Sequence, residues 1–391
     1  MSVNVKELLR AHRNNVSDLK EAQKNAAQDL GNFIDSGKVK PSEISIRELW
    51  DTFVGTTLEE KGRDFDYRFS DFAEIQEEMV SSQFPYATGK LINPSVIEAY
   101  EVDLAEMRQL FTETDSTKRE EDIVGFKDGD RPRHVEEAQP YPEAGFSEKR
   151  AKIRNHKFGQ GLGLTVEMVK FDQTGELLNR ARDAGTAIAD LLEEFMAYRL
   201  SDTAWSEIGE STSQAFVYGG ARHALYANDH SSVDTQTNDN LIQSGTGGTP
   251  TVSQTRSTVN LLYGQKTEKG RPARVRPRYV FGHTQLREQL LQFFTLQDYD
   301  LDQATAAGAS GNRNAYKGAM QVITSQFFPS TAYWYVGDPS RQFRIQWVWR
   351  PQVTVLNQGD PKRDILSNFY VSAFVGIGAT DYRYVAANAG A

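Results

Sequence analysis

The sequence contains no cysteine. That single absence removes disulfides, thiolate metal sites, iron–sulfur clusters and cysteine nucleophiles, so stability has to come from packing and from neighbours. No stretch approaches the roughly 20 consecutive apolar residues that a membrane-spanning helix needs. The start, MSVNVKELLRAHRNN, carries charge but no apolar core of a secretory signal. These features read as a soluble, unexported protein with no membrane partner. Fixed-period repeats are also missing, which argues against a solenoid or propeller. There is no G-x-S-x-G elbow and no paired-carboxylate motif, so neither serine-nucleophile nor acid–base catalysis has a visible carrier.

What is present is length and an acidic balance. The 391 residues suffice for one large core or two to three smaller ones at roughly 100–200 residues per domain. Net charge is -9, and a nucleic-acid duplex would repel that overall field. The best basic segment is Lys266, Lys269, Arg271, Arg274, Arg276 and Arg278. Arg276 and Arg278 share one face of an extended chain, but Pro272 and Pro277 interrupt it and no aromatic ladder accompanies it. Pairing with carboxylates of another subunit explains this run better than nucleic-acid readout.

Apolar spacing predicts an amphipathic helix over Val5–Leu30 with Gly31 as its stop, and a short helix over Ser42–Val54 capped by Ser42 or Ser45. Further helices are expected over Phe72–Val80 and over Ser95–Phe111, the latter opened by Asn93-Pro94-Ser95. Residues 112–157 are polar, with Thr117–Phe126 and Phe146–His156 as the two strands of a long arm that has little core beneath it. The clearest signal lies over Thr174–Leu200, where Leu177, Ala181, Ala184, Ile188, Leu191, Phe195 and Tyr198 form one stripe and Arg180, Arg182, Asp183, Asp190, Glu193, Glu194 and Arg199 occupy the other sides. That helix would be roughly 40 Å long. A Gly- and Ser-rich loop region covers Phe216–Pro250. Helices follow at Val252–Tyr263 and Thr284–Phe294, with a strand at Arg278–Phe281 and a loose stretch at Gln303–Asn314. Strands are expected at Gln321–Ser325, Ala332–Val336, Phe343–Val348, Gln352–Leu356 and Phe369–Ala379.

Several smaller groupings invite chemistry. Asp229, His230, Asp234 and Asp239 are oxygen-rich ligand types but lack the spacing and bounding Glu of a calcium loop, and His223 with His230 is not a helical zinc pair. A solvated loop is the plainer reading. Gly159-Gln160-Gly161-Leu162-Gly163 lacks the trailing glycine of a phosphate loop and reads as a bend. The aromatics Tyr333-Trp334-Tyr335 and Trp347-Val348-Trp349 could form a carbohydrate platform, but strand alternation makes them core. No cofactor and no metal is expected.

Four passages resemble one family in a shared order. Lys157-Phe158-Gly159, Leu164-Thr165-Val166-Glu167-Met168 and Asp172 lead directly into the long helix, Leu225-Tyr226-Ala227-Asn228-Asp229-His230 comes next, and Arg276-Pro277-Arg278-Tyr279-Val280-Phe281-Gly282 follows. The close, FYVSAFVGIGATDYRY at Phe369–Tyr384, belongs to the same pattern. Together they resemble the major capsid proteins of tailed bacteriophages, over roughly Asp115–Ala387. The resemblance implies an α+β, Hong Kong 97-type capsid fold. Its parts would be an N-terminal helical arm (1–111), an extended E-loop hairpin (112–157), a P-domain with the long spine helix (158–215), an α/β A-domain (216–340) and a β-rich C-terminal part of the P-domain (341–391). It also implies self-assembly into hexamers and pentamers of an icosahedral shell around double-stranded DNA, with no sequence-specific DNA contact and no enzymatic activity. Portal, scaffold and decoration proteins would be further partners, and assembly would take place in the bacterial host cytoplasm. The N-terminal segment reads as an uncleaved arm that packs under neighbouring subunits. Some relatives join an E-loop lysine to a neighbour's asparagine; Lys118, Lys127, Lys149 and Lys152 are in place, but no motif identifies an acceptor. Intersubunit contact is expected instead from salt bridges of Glu148, Lys149, Arg150, Lys152 and Arg154. An encapsulin-like compartment shell enclosing an enzyme is the alternative, and a β-rich hydrolase a more remote one.

Overall fold

The computed structural model describes residues 5–16, 18–55, 83–126, 134–135, 148–231, 238–243, 250–296, 314–356 and 365–389. Helices and strands are mixed along the chain. The strands are β1 Thr112–Asp115, β2 Glu120–Phe126, β3 Glu148–Arg154, β4 His156–Thr165, β5 Val217–Tyr218, β6 Ala221–Arg222, β7 Leu241–Gln243, β8 Tyr279–His283, β9 Gln321–Ser325, β10 Trp334–Gly337, β11 Phe343–Leu356, β12 Ile365–Ala379 and β13 Val385–Ala389. Two compact units interleave in sequence. One comprises Met1–Asp103, Lys157–Asp190 and Trp349–Phe374, the other Leu104–His156, Leu191–Val348 and Val375–Ala391.

In the first unit, the helix expected over Val5–Leu30 is two helices, Val5–Arg13 and Leu19–Asp35. Asn14 and Asn15 form the turn between them, and Asp18 caps the second by accepting from Lys20 N at 3.1 Å. Gly31 does not stop this helix. It is buried within it, and the lysine stem of Lys90 passes 3.6 Å from where a Cβ would stand. The helix ends at Ser36, and Gly37 takes the left-handed conformation (φ 70°) that closes it, with Lys38 N donating to Phe33 O at 3.0 Å. The expected Ser42–Val54 helix resolves into a 3-10 turn (Pro41–Glu43), a helix over Ile46–Trp50 capped by Ser45, and a π turn over Asp51–Gly55. Phe72–Val80 lies outside the described residues.

The helix expected to open at Asn93-Pro94-Ser95 begins much earlier, spanning Phe84–Arg108 with Pro94 inside it. An interior proline costs about 3 kcal/mol. Burial of Phe84, Leu91, Ile92 and Val96 offsets that locally. The spine helix runs over Thr174–Leu200 as predicted, and at Gly185 it meets the Pro94 helix backbone to side: a Cβ there would approach Val96 O to 2.6 Å. β4, β12 and β11 lie side by side in that order. Gly159, Gly161 and Gly163 are therefore strand residues of β4, not a bend. They let β12 approach closely, since a Cβ on Gly159 would stand 3.3 Å from Val371 O and one on Gly163 3.2 Å from Ile365 Cδ1.

In the second unit, β1 pairs parallel with the first part of β11, from Thr112↔Arg344 to Asp115↔Trp347. Phe343–Val348 and Gln352–Leu356 are one strand, with Pro351 placed beyond the stretch that β1 pairs. A five-stranded mixed sheet runs β7-β13-β10-β8-β9. One face packs on Val259, Leu262, Leu290 and Phe294. Its β13, with the sequence VAANA, has little strand propensity of its own and was not expected; pairing on both edges, to β10 and β7, determines it. A third sheet, β2-β3-β5-β6, forms the arm and its root.

Candidate functional site

The arm is a regular hairpin segment in which β2 and β3 pair from Glu120↔Arg154 to Phe126↔Glu148. Period-two alternation sorts β3 into two faces. Ala151 and Ile153 are buried, whereas Arg150, Lys152 and Arg154 are exposed. The arm root therefore has a core, contrary to the expectation from its polar composition. β3 is also held by β5 through Ala151↔Tyr218, and Gly219 N donates to Arg150 O at 2.9 Å. Of the five residues expected to contact a neighbour, Glu148 and Lys149 are described in backbone only, opposite Phe126 and Gly125. Lys152 forms an ion pair with Glu120 of its own chain, and Arg154 Nε stands 3.8 Å from the same carboxylate. The Lys152 ammonium holds the Glu120 carboxyl below its usual pKa, and Glu120 in turn raises Lys152.

Where β3 passes into β4, Asn155 clips the root together. Its side-chain nitrogen donates to Lys118 O at 2.6 Å, its backbone N to Arg119 O at 2.9 Å, and nearby Ser116 N donates to Trp347 O at 2.8 Å. Beside this clip lies a polar cleft of about 440 Å³ lined by Glu120, Lys152, Arg154, His156, Arg199 and Glu210 among others.

Arg199, which lies off the apolar stripe of the spine helix, belongs to this cleft. It is 2% exposed. Its guanidinium grips Glu210 in a fork, Nη1 to Oε2 at 2.9 Å and Nη2 to Oε1 at 2.7 Å, and lies 4.9 Å from the Phe195 ring centroid. Trp205 stacks on Phe195 at 4.8 Å and donates from Nε1 to Glu194 Oε1 at 3.1 Å. His156 meets Phe195 edge-on at 6.2 Å. Burial lowers the His156 pKa, and the Arg199 and Arg154 cations lower it further. At the end of the spine helix Asp202 adopts φ 53°, accepting from Leu225 N at 2.9 Å and Ser213 Oγ at 2.8 Å, while burial raises its pKa. The Tyr226 hydroxyl donates to Leu200 O at 2.6 Å.

The oxygen-rich loop serves structure. His230 is buried, its Nδ1 is 2.9 Å from Asn238 O, and its ring stacks on Tyr382 at 3.9 Å. Asp229 accepts from Ser231 N at 2.8 Å, Asp239 is exposed, and Asp234 lies outside the described residues. Among the described residues no group of three His, Asp or Glu is placed to hold a metal. His223 Nε2 lies 3.2 Å from Tyr218 O. Trp334, Tyr335 and Trp347 are core, with Tyr333 and Trp349 partly exposed. Lys127 lies outside the described residues, and the Lys118 carbonyl serves the Asn155 clip. The basic run forms a hairpin followed by an extended edge, described below.

Sequence reasoning missed Asn155, Glu210 and Asn240. Asn240 is fully buried and joins three segments, donating from Nδ2 to Leu225 O at 2.8 Å and Tyr382 O at 2.9 Å and accepting from Ala227 N at 2.8 Å. No local spacing announces such residues, because their partners are distant in sequence.

The sequence profile of a family described as phage capsid protein matches residues 149–388. None of the curated proteins matches the chain. Among solved structures, the capsid of a native GTA particle shares 15% identity with a TM-score of 0.47, covering 74% of this chain and 90% of that one. A protein of Mycobacterium phage Cain shares 13% with a TM-score of 0.45, covering 73% and 90%. A virus-like particle from Pyrococcus furiosus shares 7% with a TM-score of 0.42, covering 76% and 97%.

Proposed function

The chain belongs to the phage capsid protein family, and from that premise we propose that it encloses a double-stranded DNA genome in an icosahedral shell built of its hexamers and pentamers. It is a major capsid protein, which forms the virion capsid by self-assembly. Association, not catalysis, is its work. The arm of residues 112–157 would lie across an adjacent subunit, with Glu148, Lys149, Arg150, Lys152 and Arg154 supplying salt bridges there. Assembly in the bacterial cytoplasm, with scaffold, portal and decoration proteins as partners, completes the reading. The parts expected from the resemblance, arm, E-loop, P-domain and A-domain, are its proposed division of labour.

One observation carries this reading. β3 holds three cations on a face without core, while Ala151 and Ile153 anchor only the opposite face. That exposed cationic face, on a sheet anchored from its other side, suits a partner surface that carries carboxylates. Expression of the full chain, with electron microscopy and absorbance for nucleic acid, tests it. Shells containing DNA are expected; shells around an enzyme would indicate a compartment instead, and persistent monomers with a co-expressed scaffold would overturn the reading. The Lys152→Glu/Arg154→Glu variant should remain folded and lose shell formation.

A further inference from the structure

Residues 266–278 hold six of the 44 cations of an otherwise acidic chain. Gln265 to Ala273 form a tight hairpin closed by Ala273 N to Gln265 O at 2.8 Å, Thr267 N to Arg271 O at 2.7 Å and the Lys266↔Pro272 bridge, with Gly270 at φ 76° in the turn. The chain leaves it extended, and burial alternates. Ala273 and Val275 enter the core of the five-stranded sheet, while Arg274, Arg276 and Arg278 are exposed. Arg278 N donates to Gly337 O at 2.9 Å, which fixes the far end. The cations thus stand on a rigid edge.

Two features of this edge have no role among the described residues. Arg278 Nε stands 4.0 Å from Asp338, but no ion pair engages Arg274 or Arg276 among the described residues. Arg274 is also held at φ 53°. The other non-glycine residues in that region, Asp172 and Asp202, accept hydrogen bonds on their carboxylates, the first from Ser45 Oγ and Thr174 Oγ1, the second from Ser213 Oγ and Leu225 N. Arg274 has no comparable hydrogen bond among the described residues, and glycine would fit at no steric cost. Strain kept without local return marks a position with an external role.

We propose that this edge is a contact surface for a second copy of the chain, at which Arg274 and Arg276 meet its carboxylates. The inference rests on the self-assembly reading and adds a second interface to that of the arm. With these cations gathered at one edge, the rest of the surface is more acidic than the net charge of -9, so a copy presents the complementary field. Tyr263, 61% exposed two residues before the hairpin, adds an aromatic to the arginines. That composition is enriched at protein interfaces, and a rigid edge loses little freedom on binding.

The test compares full-length variants with wild-type shells. Arg274→Glu/Arg276→Glu should keep the wild-type circular dichroism and raise the critical concentration for assembly at least tenfold. Arg274→Gly relieves the strain, so its melting temperature should hold or rise while assembly weakens, a combination that a purely structural arginine would not give. Because the chain lacks cysteine, Arg276→Cys introduces a single thiol; its maleimide labelling should slow at least tenfold on assembly. Wild-type assembly by the double variant, or a thiol equally reactive in shells and free subunits, overturns the proposal. So does normal assembly with loss of packaged DNA, which would assign the edge to nucleic acid. A wild-type chain that forms no shells overturns the capsid reading itself, and this proposal with it.

Discussion

Asn155 and Gly376 share one space: the Asn155 side-chain oxygen occupies the volume that a Cβ on residue 376 would need. Arg154 O would also lie only 2.8 Å from that Cβ. The glycine on β12 is thus what allows the asparagine to sit between strands and hold the Lys118 carbonyl where the arm departs.

Gly376→Ala should displace Asn155 from Lys118 O. Overpacking and a lost buried hydrogen bond together cost about 2–4 kcal/mol. Urea unfolding checks this, and Asn155→Ala in the same background should recover part of the loss.

Arg199→Met should destabilise the chain by about 3 kcal/mol, because it leaves the Glu210 carboxylate, 10% exposed, without its partner. Pairing it with Glu210→Gln should return part of that, which a double-mutant cycle by chemical denaturation would read.

Asn240→Leu should cost about 3 kcal/mol or more, since it strands the Leu225 and Tyr382 carbonyls and the Ala227 amide in a buried site. Calorimetry should show a lower melting temperature with the chain still folded at low temperature.

His156 and His230 both have pKa values lowered from 6.5, chiefly by burial. The unfolded chain takes up their protons first, so the stability they contribute is present above about pH 6.5 and is lost as pH falls below it. Melting temperature should therefore drop between about pH 6.5 and 5, and a His156→Gln/His230→Gln variant should flatten that slope. An unchanged slope would show that neither ring stays neutral in the folded state.

Period and composition made much of the fold legible. The spine helix, β9 and the hairpin strands stand where apolar spacing put them, give or take a few residues. The errors have specific physical causes. Pro94 reads as a helix start because its missing N–H is harmless there, yet packing of Leu91, Ile92 and Val96 carries the helix through it. The glycines of β4 read as a bend because their close approach to β12 has no sequence signature. Arg199 lies outside the apolar stripe, where its burial has no sequence signature, and Glu210 and Phe195 make that burial tolerable. At the arm, the cations of β3 were identifiable as residue types, but not their engagement with Glu120.

The sequence by itself determined what depends on neighbours along the chain: helix and strand periods, the absence of thiol chemistry, the acidic balance and the order of motifs that marks the family. The tertiary structure alone decided what depends on residues far apart: which cations are buried and which carboxylates they meet, which glycines admit another strand, and where Asn155 and Asn240 find their partners. A side chain's burial and hydrogen bonding depend on the groups that surround it in space, and in a fold with interleaved units those groups come from distant parts of the chain.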